Sequence, residues 1–245
     1  MDMGVRASVA GALILTLLST AALGAEALAQ VTSAQETTFR VFQRGVLVGS
    51  TTITLAHSEE GWRLQGTGEL KGMFQLVLRQ LDIRYDDNWR PRIMTMEMAS
   101  PDDSAVVHVA FGLADGTTRT DVVRANLATW GSNPVSPDTL PLPDLVFGAY
   151  EGLAARLASA SPGTEMHVFV APRFECLMAL DGVSTDVVET SGGVLETRRW
   201  RMTVRRPEGP TPMEMWVADG RMVRLDQPKD GISVVRQDVV WGKTP

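Results

Sequence analysis

The sequence predicts a mainly β protein. We expect a curled or closed antiparallel sheet, an incomplete barrel of about a dozen strands, around one central α-helix. Short runs of alternating apolar and polar residues, separated by glycine, proline, asparagine and aspartate turn signals, fill most of the chain. After the N-terminus, only one segment has a sustained helical period, and it lies between two strand-rich halves. Closure of such a sheet would also protect the strand edges that an open sheet exposes.

The N-terminus has the three-part order of a secretory signal peptide. The charged stretch MDMGVR is followed by an apolar run from Ala7 to Ala25 and by the cleavage-site sequence Ala27-Leu28-Ala29. We therefore expect residues 1–29 to be removed on export, leaving a single β-rich domain over residues 30–245 in the periplasm or outside the cell. Retention as a membrane anchor is the alternative, because the apolar run approaches the length of a bilayer-spanning helix. No later stretch is long and apolar enough to span a membrane.

The first half of the mature chain predicts a meander of strands joined by tight turns. Within the strand pattern of residues 74–85, the inward-facing set changes parity near Arg79-Gln80, which indicates a β-bulge. Asp115-Gly116 is a strong hairpin signal, and we expect the following strand to run from Thr117 to Thr129. The proline-rich segment from Trp130 to Pro143 is typical of an ordered crossover loop.

One helix is predicted at about residues 144–158. Its apolar face is formed by residues that recur at positions i, i+4, i+7 and i+11, namely Val146, Tyr150, Leu153 and Leu157, with Phe147 and Ala154 beside them. The opposite face carries Gly148 and Gly152. Each glycine costs roughly 1 kcal/mol in a helix interior, so two of them suggest close packing against another backbone or side chain. A surface helix with a weak outer face is the alternative.

Strand patterns resume after the helix and continue to Trp241. Within Val194 to Arg205, apolar residues alternate with arginines, which places Arg199, Arg201 and Arg205 on one face of a strand. Such a row is either a solvated strand face or a surface that binds an acidic partner. The second interpretation predicts a scaffold for envelope protein assembly.

Charge and cysteine content exclude several classes of protein. The chain has a formal charge of −6, and loss of Asp2, Glu26 and Arg6 with the signal peptide leaves −5. Nucleic acids and anionic membrane surfaces require basic patches, so we expect neither as a partner. The single cysteine, Cys176, cannot form an internal disulfide, and its apolar surroundings in FECLMAL favour a buried inert thiol.

The sequence lacks the common catalytic and metal-binding motifs. His57, His108 and His167 are scattered, and none has another histidine or a cysteine at metal-ligand spacing. The sequence contains no nucleophile elbow, P-loop, dinucleotide fingerprint or zinc-protease motif. We therefore expect no catalytic residues, no metal and no cofactor. A hydrolase whose site assembles only in space is the remaining alternative, because triads are defined by geometry.

The candidate functional residues that the sequence does offer are apolar. Methionine is over-represented at surfaces that accept varied apolar partners, and a curled sheet half-filled by a helix is one way to form a pocket. Methionines that simply fill core gaps are the alternative. The residues predicted to line a ligand site are Met94, Met96, Met98, Phe147, Tyr150, Leu153, Leu157, Met213 and Met215.

Two hairpins resemble segments of known families. The opening FRVFQRGVLVGSTTI looks like the first hairpin of several uncharacterised secreted bacterial β-domain families. The run MEMWVADGRMVRL resembles their recurrent W-V-D-x-x-G-R-x-x-R hairpin, here through Trp216, Val217, Asp219, Gly220, Arg221 and Arg224. These families are placed near the lipoprotein-carrier (LolA/LolB-like) folds, which hold acyl chains inside an incomplete barrel. The resemblance implies acyl-chain binding and brings no catalytic residues. The long central helix departs from the pattern.

The leading hypothesis is a non-enzymatic exported protein of the cell envelope. It is expected to bind a hydrophobic ligand, either a lipid or an acyl chain, or a lipidated partner protein. The alternatives are a protein-interaction scaffold without a small ligand and the hydrolase described above.

Overall fold

A computed structural model describes residues 33–113, 116–124 and 127–240. The predicted signal peptide, residue Asp115 of the predicted hairpin signal and the predicted strand end at Trp241 lie outside these ranges.

The described chain forms fifteen strands and one short helical segment. The strands before the helix are β1 Ser33–Gln43, β2 Val46–Ser58, β3 Gly61–Leu70, β4 Leu76–Tyr85, β5 Pro91–Ala99, β6 Ser104–Ala110, β7 Thr117–Arg124, β8 Leu127–Pro134 and β9 Leu140–Pro141. The helical segment is a 3₁₀ turn, Phe147–Ala149, followed by α1, Tyr150–Leu157. The strands after it are β10 Glu165–Val170, β11 Phe174–Thr190, β12 Gly193–Arg206, β13 Gly209–Ala218, β14 Arg221–Gln227 and β15 Ile232–Arg236.

All fifteen strands belong to one sheet. Its order is β8-β7-β6-β5-β4-β3-β2-β1-β15-β14-β13-β12-β11-β10-β9. Every neighbouring pair is antiparallel except β9 and β10, which are parallel. The prediction of a mainly β, antiparallel meander is therefore confirmed.

The connectivity requires the sheet to curl. Strands β8 and β9 are its two edges, yet only residues 135–139 separate them along the chain. A fully extended link of that length spans roughly 20 Å, whereas fourteen inter-strand spacings in a flat sheet amount to roughly 67 Å. The ends overlap instead of pairing: β9 contacts β5, and the Phe169 ring lies edge-on to Phe111 at 5.9 Å. The sheet is curled and does not close into a barrel.

The predicted bulge in β4 is confirmed. The pairing of β4 with β5 shifts register between Leu78 and Gln80, and Leu78 and Leu81 on either side of the shift are both buried. The extra residue lets both leucines face the inside of the curl while the strand bends.

Two boundaries around the helix differ from the predictions. The segment from Trp130 to Pro143 is not only a crossover loop, because its first residues belong to β8, whereas the predicted long strand to Thr129 is divided into β7 and β8. Gly131 and Pro134 are tolerated there because β8 is an edge strand. The helix begins at Tyr150 and not near residue 144, because Leu145 has a positive φ of 61° and Val146 is not helical.

The helix fills the inside of the curl. Phe147, Tyr150, Leu153, Ala154 and Leu157 are at most 2% exposed and belong to the main core. Both glycines lie against the sheet, as predicted. A side chain at Gly148 would overlap Ile53 of β2, and a Cβ at Gly152 would lie 2.5 Å from the Tyr85 hydroxyl of β4.

Candidate functional site

The predicted ligand-lining residues lie together in the interior. Met94 and Met96 of β5 face inward on one wall, and Met213 and Met215 of β13 face inward on another. These four and the helix residues Phe147, Tyr150, Leu153 and Leu157 are at most 2% exposed and share one core cluster. Met98 is half-buried and packs against the same cluster. The structure therefore brings the whole predicted set to one place.

This interior is filled in the conformation described. A cavity that admitted water would expose part of the side chains lining it, yet Met94, Met215 and Leu153 have no exposed surface. The gap between the start of the helical segment and strands β2 to β4, beside Leu145 and Phe147, has a volume of about 10 Å³, which corresponds to about one water molecule. An acyl chain can enter this space only if α1 moves. That these residues line a ligand site stays a prediction.

A buried ion pair joins α1 to the sheet. Glu151 has no exposed surface, and its Oε2 accepts hydrogen bonds from Arg221 Nε at 3.0 Å and from the backbone N–H of Met222 at 3.2 Å. Arg221 Nη2 also lies 3.4 Å from Oε1. Burial raises the pKa of Glu151, while the Arg221 guanidinium opposes that shift. The positive charge of Arg221, at the start of β14, therefore compensates the negative charge of the buried Glu151 carboxylate.

Arg221 also holds β1 in place. Its Nη1 donates to the Gln35 side-chain oxygen, and its Nη2 donates to the Thr37 hydroxyl at 3.1 Å. One guanidinium thus connects α1, β14 and β1. Arg221 was predicted only as part of the resembling hairpin, and its pairing with Glu151 was not predicted. Because the Glu151 side chain has no exposed surface, water does not solvate its carboxylate, and the charge requires a cationic partner such as Arg221.

Small residues let α1 approach the β13–β14 turn on its other side. Gly220 in that turn adopts φ +72°, and a Cβ built there would lie 3.8 Å from the Ala158 Cβ and 3.9 Å from the Ala155 Cα. Arg198 Nη1 donates to the Ala158 carbonyl at 3.2 Å. The C-terminal end of α1 is therefore fastened by contacts at its backbone.

Both tyrosines of the chain face this interior. Tyr85 is 1% exposed and Tyr150 is 2% exposed. Gln227 Nε2 donates to the Tyr150 hydroxyl at 3.3 Å, whereas the buried Tyr85 hydroxyl has no hydrogen-bond partner among the described residues. Burial raises the pKa of Tyr150 to about 12 and raises the pKa of Tyr85 as well.

One end of the curled sheet carries exposed apolar turns. Val46 and Leu47 follow the β1–β2 turn and are 64% and 57% exposed, and Met73 in the β3–β4 turn is 71% exposed. Gln43 Nε2 lies 2.9 Å from Met73 Sδ, which places the two turns side by side. An open groove of about 510 Å³ lies between the β3–β4 and β5–β6 turns, lined by Leu70 and Val77 among others. We call Val46, Leu47 and Met73 the apolar rim.

The predicted arginine row lies on the outer face of β12. Arg199 donates to Glu214 Oε2 at 2.6 Å and lies 4.9 Å from the Trp216 ring centre. Arg205 pairs with Glu165 at 2.7 Å. Arg201 is exposed. Two of the three charges are thus neutralised within the chain, and the interpretation of the row as a partner-binding surface stays a prediction.

Trp216 organises this outer face. Arg224 lies 4.5 Å from its ring centre on strand β14, and its indole Nε1 donates to Asp186 Oδ2 at 2.8 Å. That hydrogen bond lowers the pKa of Asp186. Trp216 also belongs to a small apolar cluster with Phe42, Val223 and Val235. Trp216 and Arg224 of the resembling hairpin therefore stabilise the outside of the sheet, whereas Arg221 of the same hairpin contacts α1.

A serine, a histidine and a glutamate meet at the crossover after β8. Ser136 Oγ lies 3.0 Å from His167 Nδ1, and the same nitrogen lies 3.4 Å from Glu175 Oε1. Glu175 Oε1 also accepts the Ser136 backbone N–H at 2.8 Å. A catalytic relay uses the two imidazole nitrogens for the serine and the carboxylate separately. Because one nitrogen faces both groups here, the arrangement anchors the crossover to β10 and β11.

Two further features bear on chemistry. Cys176 is half-buried, and burial raises the pKa of its thiol, which disfavours the nucleophilic thiolate. Within residues 33–113, 116–124 and 127–240, no three histidine, cysteine, aspartate or glutamate side chains are grouped to hold a metal ion. In the same part of the chain, no helix has the length and hydropathy needed to cross a bilayer.

Comparison with known proteins finds distant structural likeness. A DUF1089 family protein from Pseudomonas aeruginosa is 12% identical, with a TM-score of 0.38, over 81% of this chain and 91% of its own. A predicted exported protein with a YmcC-like fold from Bacteroides fragilis is 10% identical, with a TM-score of 0.34, over 84% of this chain and 95% of its own. No family model and no curated protein matches the chain. These likenesses are too distant to assign a family or a function, and the resemblance to lipoprotein-carrier folds stays a prediction.

Proposed function

We propose that the protein is a non-enzymatic, exported protein of the cell envelope that binds an acyl chain, free or carried by a lipid or a lipidated partner. The ligand occupies the inside of the curled sheet after α1 withdraws. In the conformation described, the helix takes the place of the ligand.

The observation that carries this proposal is that one short helix, and not a second layer of sheet, fills the interior. The walls that α1 contacts are rich in methionine, which adapts its shape to different apolar partners. The segments on both sides of the 3₁₀ turn and α1, residues 142–146 and 158–164, contain no strand or helix. The helix can therefore move as a unit without breaking the strand ladder.

The position of the apolar rim supports the proposal that the ligand enters at this end of the molecule. The gap beside Leu145 and Phe147 and the groove between the β3–β4 and β5–β6 turns share Glu69 and Leu70 as lining residues. An acyl chain that binds in the groove thus lies next to the start of the helical segment. Exposed Leu47 and Met73 beside this position favour contact with an apolar ligand.

Native mass spectrometry of the protein purified from the envelope of an expressing bacterium tests this function. We expect a population heavier than the bare chain by the mass of an acyl-containing molecule, and displacement of that molecule by a fluorescent fatty acid. Mild denaturation should release the adduct, because a ligand held between α1 and the sheet depends on the fold. Protein that is always free of ligand and also fails to bind fluorescent fatty acids contradicts the proposal.

A further inference from the structure

Strand β8 is an unusual edge strand. Among the described residues it pairs with β7 alone, and most of its side chains are exposed. Trp130 is 80% exposed and Leu127 is 67% exposed. Edge strands of monomeric proteins commonly carry charges that block pairing with another chain, yet the sequence of β8, LATWGSNP, contains no charged residue.

The neighbouring charges do not protect this edge either. Arg119 and Asp121 on β7 pair with each other at 3.2 Å. Arg124 at the end of β7 pairs with Asp103 at 3.6 Å. The edge therefore presents backbone groups and uncharged side chains next to charges that are already compensated. Two copies of this strand can approach without the like-charge repulsion that a chain of net charge −6 generates elsewhere.

The faces of β8 follow from its register. Gly131 lies opposite Thr120, which is buried, and Trp130 lies opposite Asp121. Odd-numbered residues of β8 thus face the inside of the curl, and even-numbered residues face outward. When two copies pair edge to edge about a two-fold axis perpendicular to the sheet, their outer faces lie on the same side of the combined sheet. Opposite residues must then have the same parity, which a register centred on Trp130 satisfies.

We propose that β8 pairs antiparallel with β8 of a second copy of this chain, with the two Trp130 side chains opposite each other. Each Ala128 then lies opposite Ser132 of the other copy, and each Leu127 lies opposite Asn133. The pairing adds a ladder of backbone hydrogen bonds and a central aromatic pair. Two curled sheets become one continuous sheet with a two-fold axis. The proposal does not depend on ligand binding, because β8 lies outside the main core cluster.

Sedimentation velocity of the mature protein over a wide concentration range tests this dimer. We expect a reversible monomer–dimer equilibrium. Trp130→Lys should raise the dissociation constant by about tenfold or more, since it removes the central aromatic contact and adds a charge to the edge. Val194→Lys is the matched control, because Val194 is 75% exposed on β12. A wild-type protein that is monomeric at every concentration, or equal weakening by both substitutions, overturns the proposal.

Cysteine cross-linking tests the register. In a Cys176→Ser background, Trp130→Cys should oxidise readily to a disulfide-linked dimer, because residue 130 lies opposite itself. Ser132→Cys should oxidise far more slowly, because residue 132 lies opposite Ala128. Equal oxidation rates for the two variants, or slower oxidation of Trp130→Cys, overturn the pairing centred on Trp130.

Discussion

Replacing Glu151 with alanine is expected to lower the free energy of unfolding by about 3–5 kcal/mol. The substitution leaves the Arg221 guanidinium, whose side chain is 16% exposed, without its carboxylate, and removal of one partner from a buried ion pair typically has a cost of that size. It also leaves the Met222 N–H without its acceptor. Urea unfolding followed by tryptophan fluorescence measures the change.

The exposed ion pair between Arg79 and Glu97 supplies the matched control. Its N···O distance is 3.1 Å, close to the 3.0 Å of the buried pair, but both side chains are more than a third exposed. Glu97→Ala should therefore cost less than about 1 kcal/mol. The double replacement of Glu151 by leucine and Arg221 by methionine should recover much of the loss, because no unpaired charge remains. If Glu151→Ala costs no more than Glu97→Ala, the ion pair does not hold α1 in the sheet.

Alkaline pH is expected to unfold the protein through its two tyrosines. Burial raises the pKa of Tyr150 to about 12 and also raises that of Tyr85. A group whose pKa is higher in the folded state contributes stability that is fully present below its unfolded pKa, about 10 for tyrosine. That contribution is lost as pH rises through the folded pKa. For Tyr150, a rise of two units corresponds to roughly 3 kcal/mol lost between about pH 10 and pH 12.

Ultraviolet absorbance of tyrosinate measures this effect. We expect almost no tyrosinate at pH values where a free tyrosine is half-ionised, and then a single step in which both tyrosines ionise as the fold is lost. Tyr150→Phe should remove part of the decline in stability above pH 10. Gradual ionisation of either tyrosine near pH 10 without unfolding would show that water reaches the interior beside α1.

Local sequence patterns were sufficient to predict strands in which apolar and polar residues alternate strictly. The bulge in β4 was visible as a change of parity around Arg79-Gln80, because the side-chain period of a strand is fixed at two. The glycines of the helical segment were informative because Gly148 and Gly152 have a cost that only close packing justifies. The start of α1 was mislocated because Pro143 and Asp144 resemble a helix start while the backbone at Leu145 adopts a positive φ.

Features that depend on the tertiary structure could not be predicted from local sequence patterns. Residues 130–134 of β8 were predicted to be a loop because Gly131 and Pro134 are turn signals that an edge strand tolerates. The contact between Glu151 and Arg221 joins residues 70 positions apart, and no local spacing indicates it. The apolar faces of the strands and the helix did indicate which side chains lie together in the interior, and their role in ligand binding stays a prediction. The free energy needed to move α1 out of the interior depends on tertiary contacts, so the sequence pattern does not predict it.

Under the proposed function, α1 must leave the interior before an acyl chain can bind. A disulfide that fastens the helix to the β13–β14 turn tests it. The Ala158 Cβ lies 3.8 Å from the Cβ position at Gly220, a separation typical of disulfides. The variant combines Ala158→Cys and Gly220→Cys with Cys176→Ser. Because Gly220 adopts φ +72°, the reduced variant is the reference for stability and for binding.

Titration of this variant with a fluorescent fatty acid, oxidised and then reduced, is the most direct measurement. We expect that the oxidised protein does not bind, that reduction restores binding, and that a single Ala158→Cys variant binds equally under both conditions. Binding of the fatty acid by the oxidised protein with the affinity of the reduced protein would contradict this expectation, because the ligand would then bind while the C-terminal end of α1 stays fastened to the β13–β14 turn.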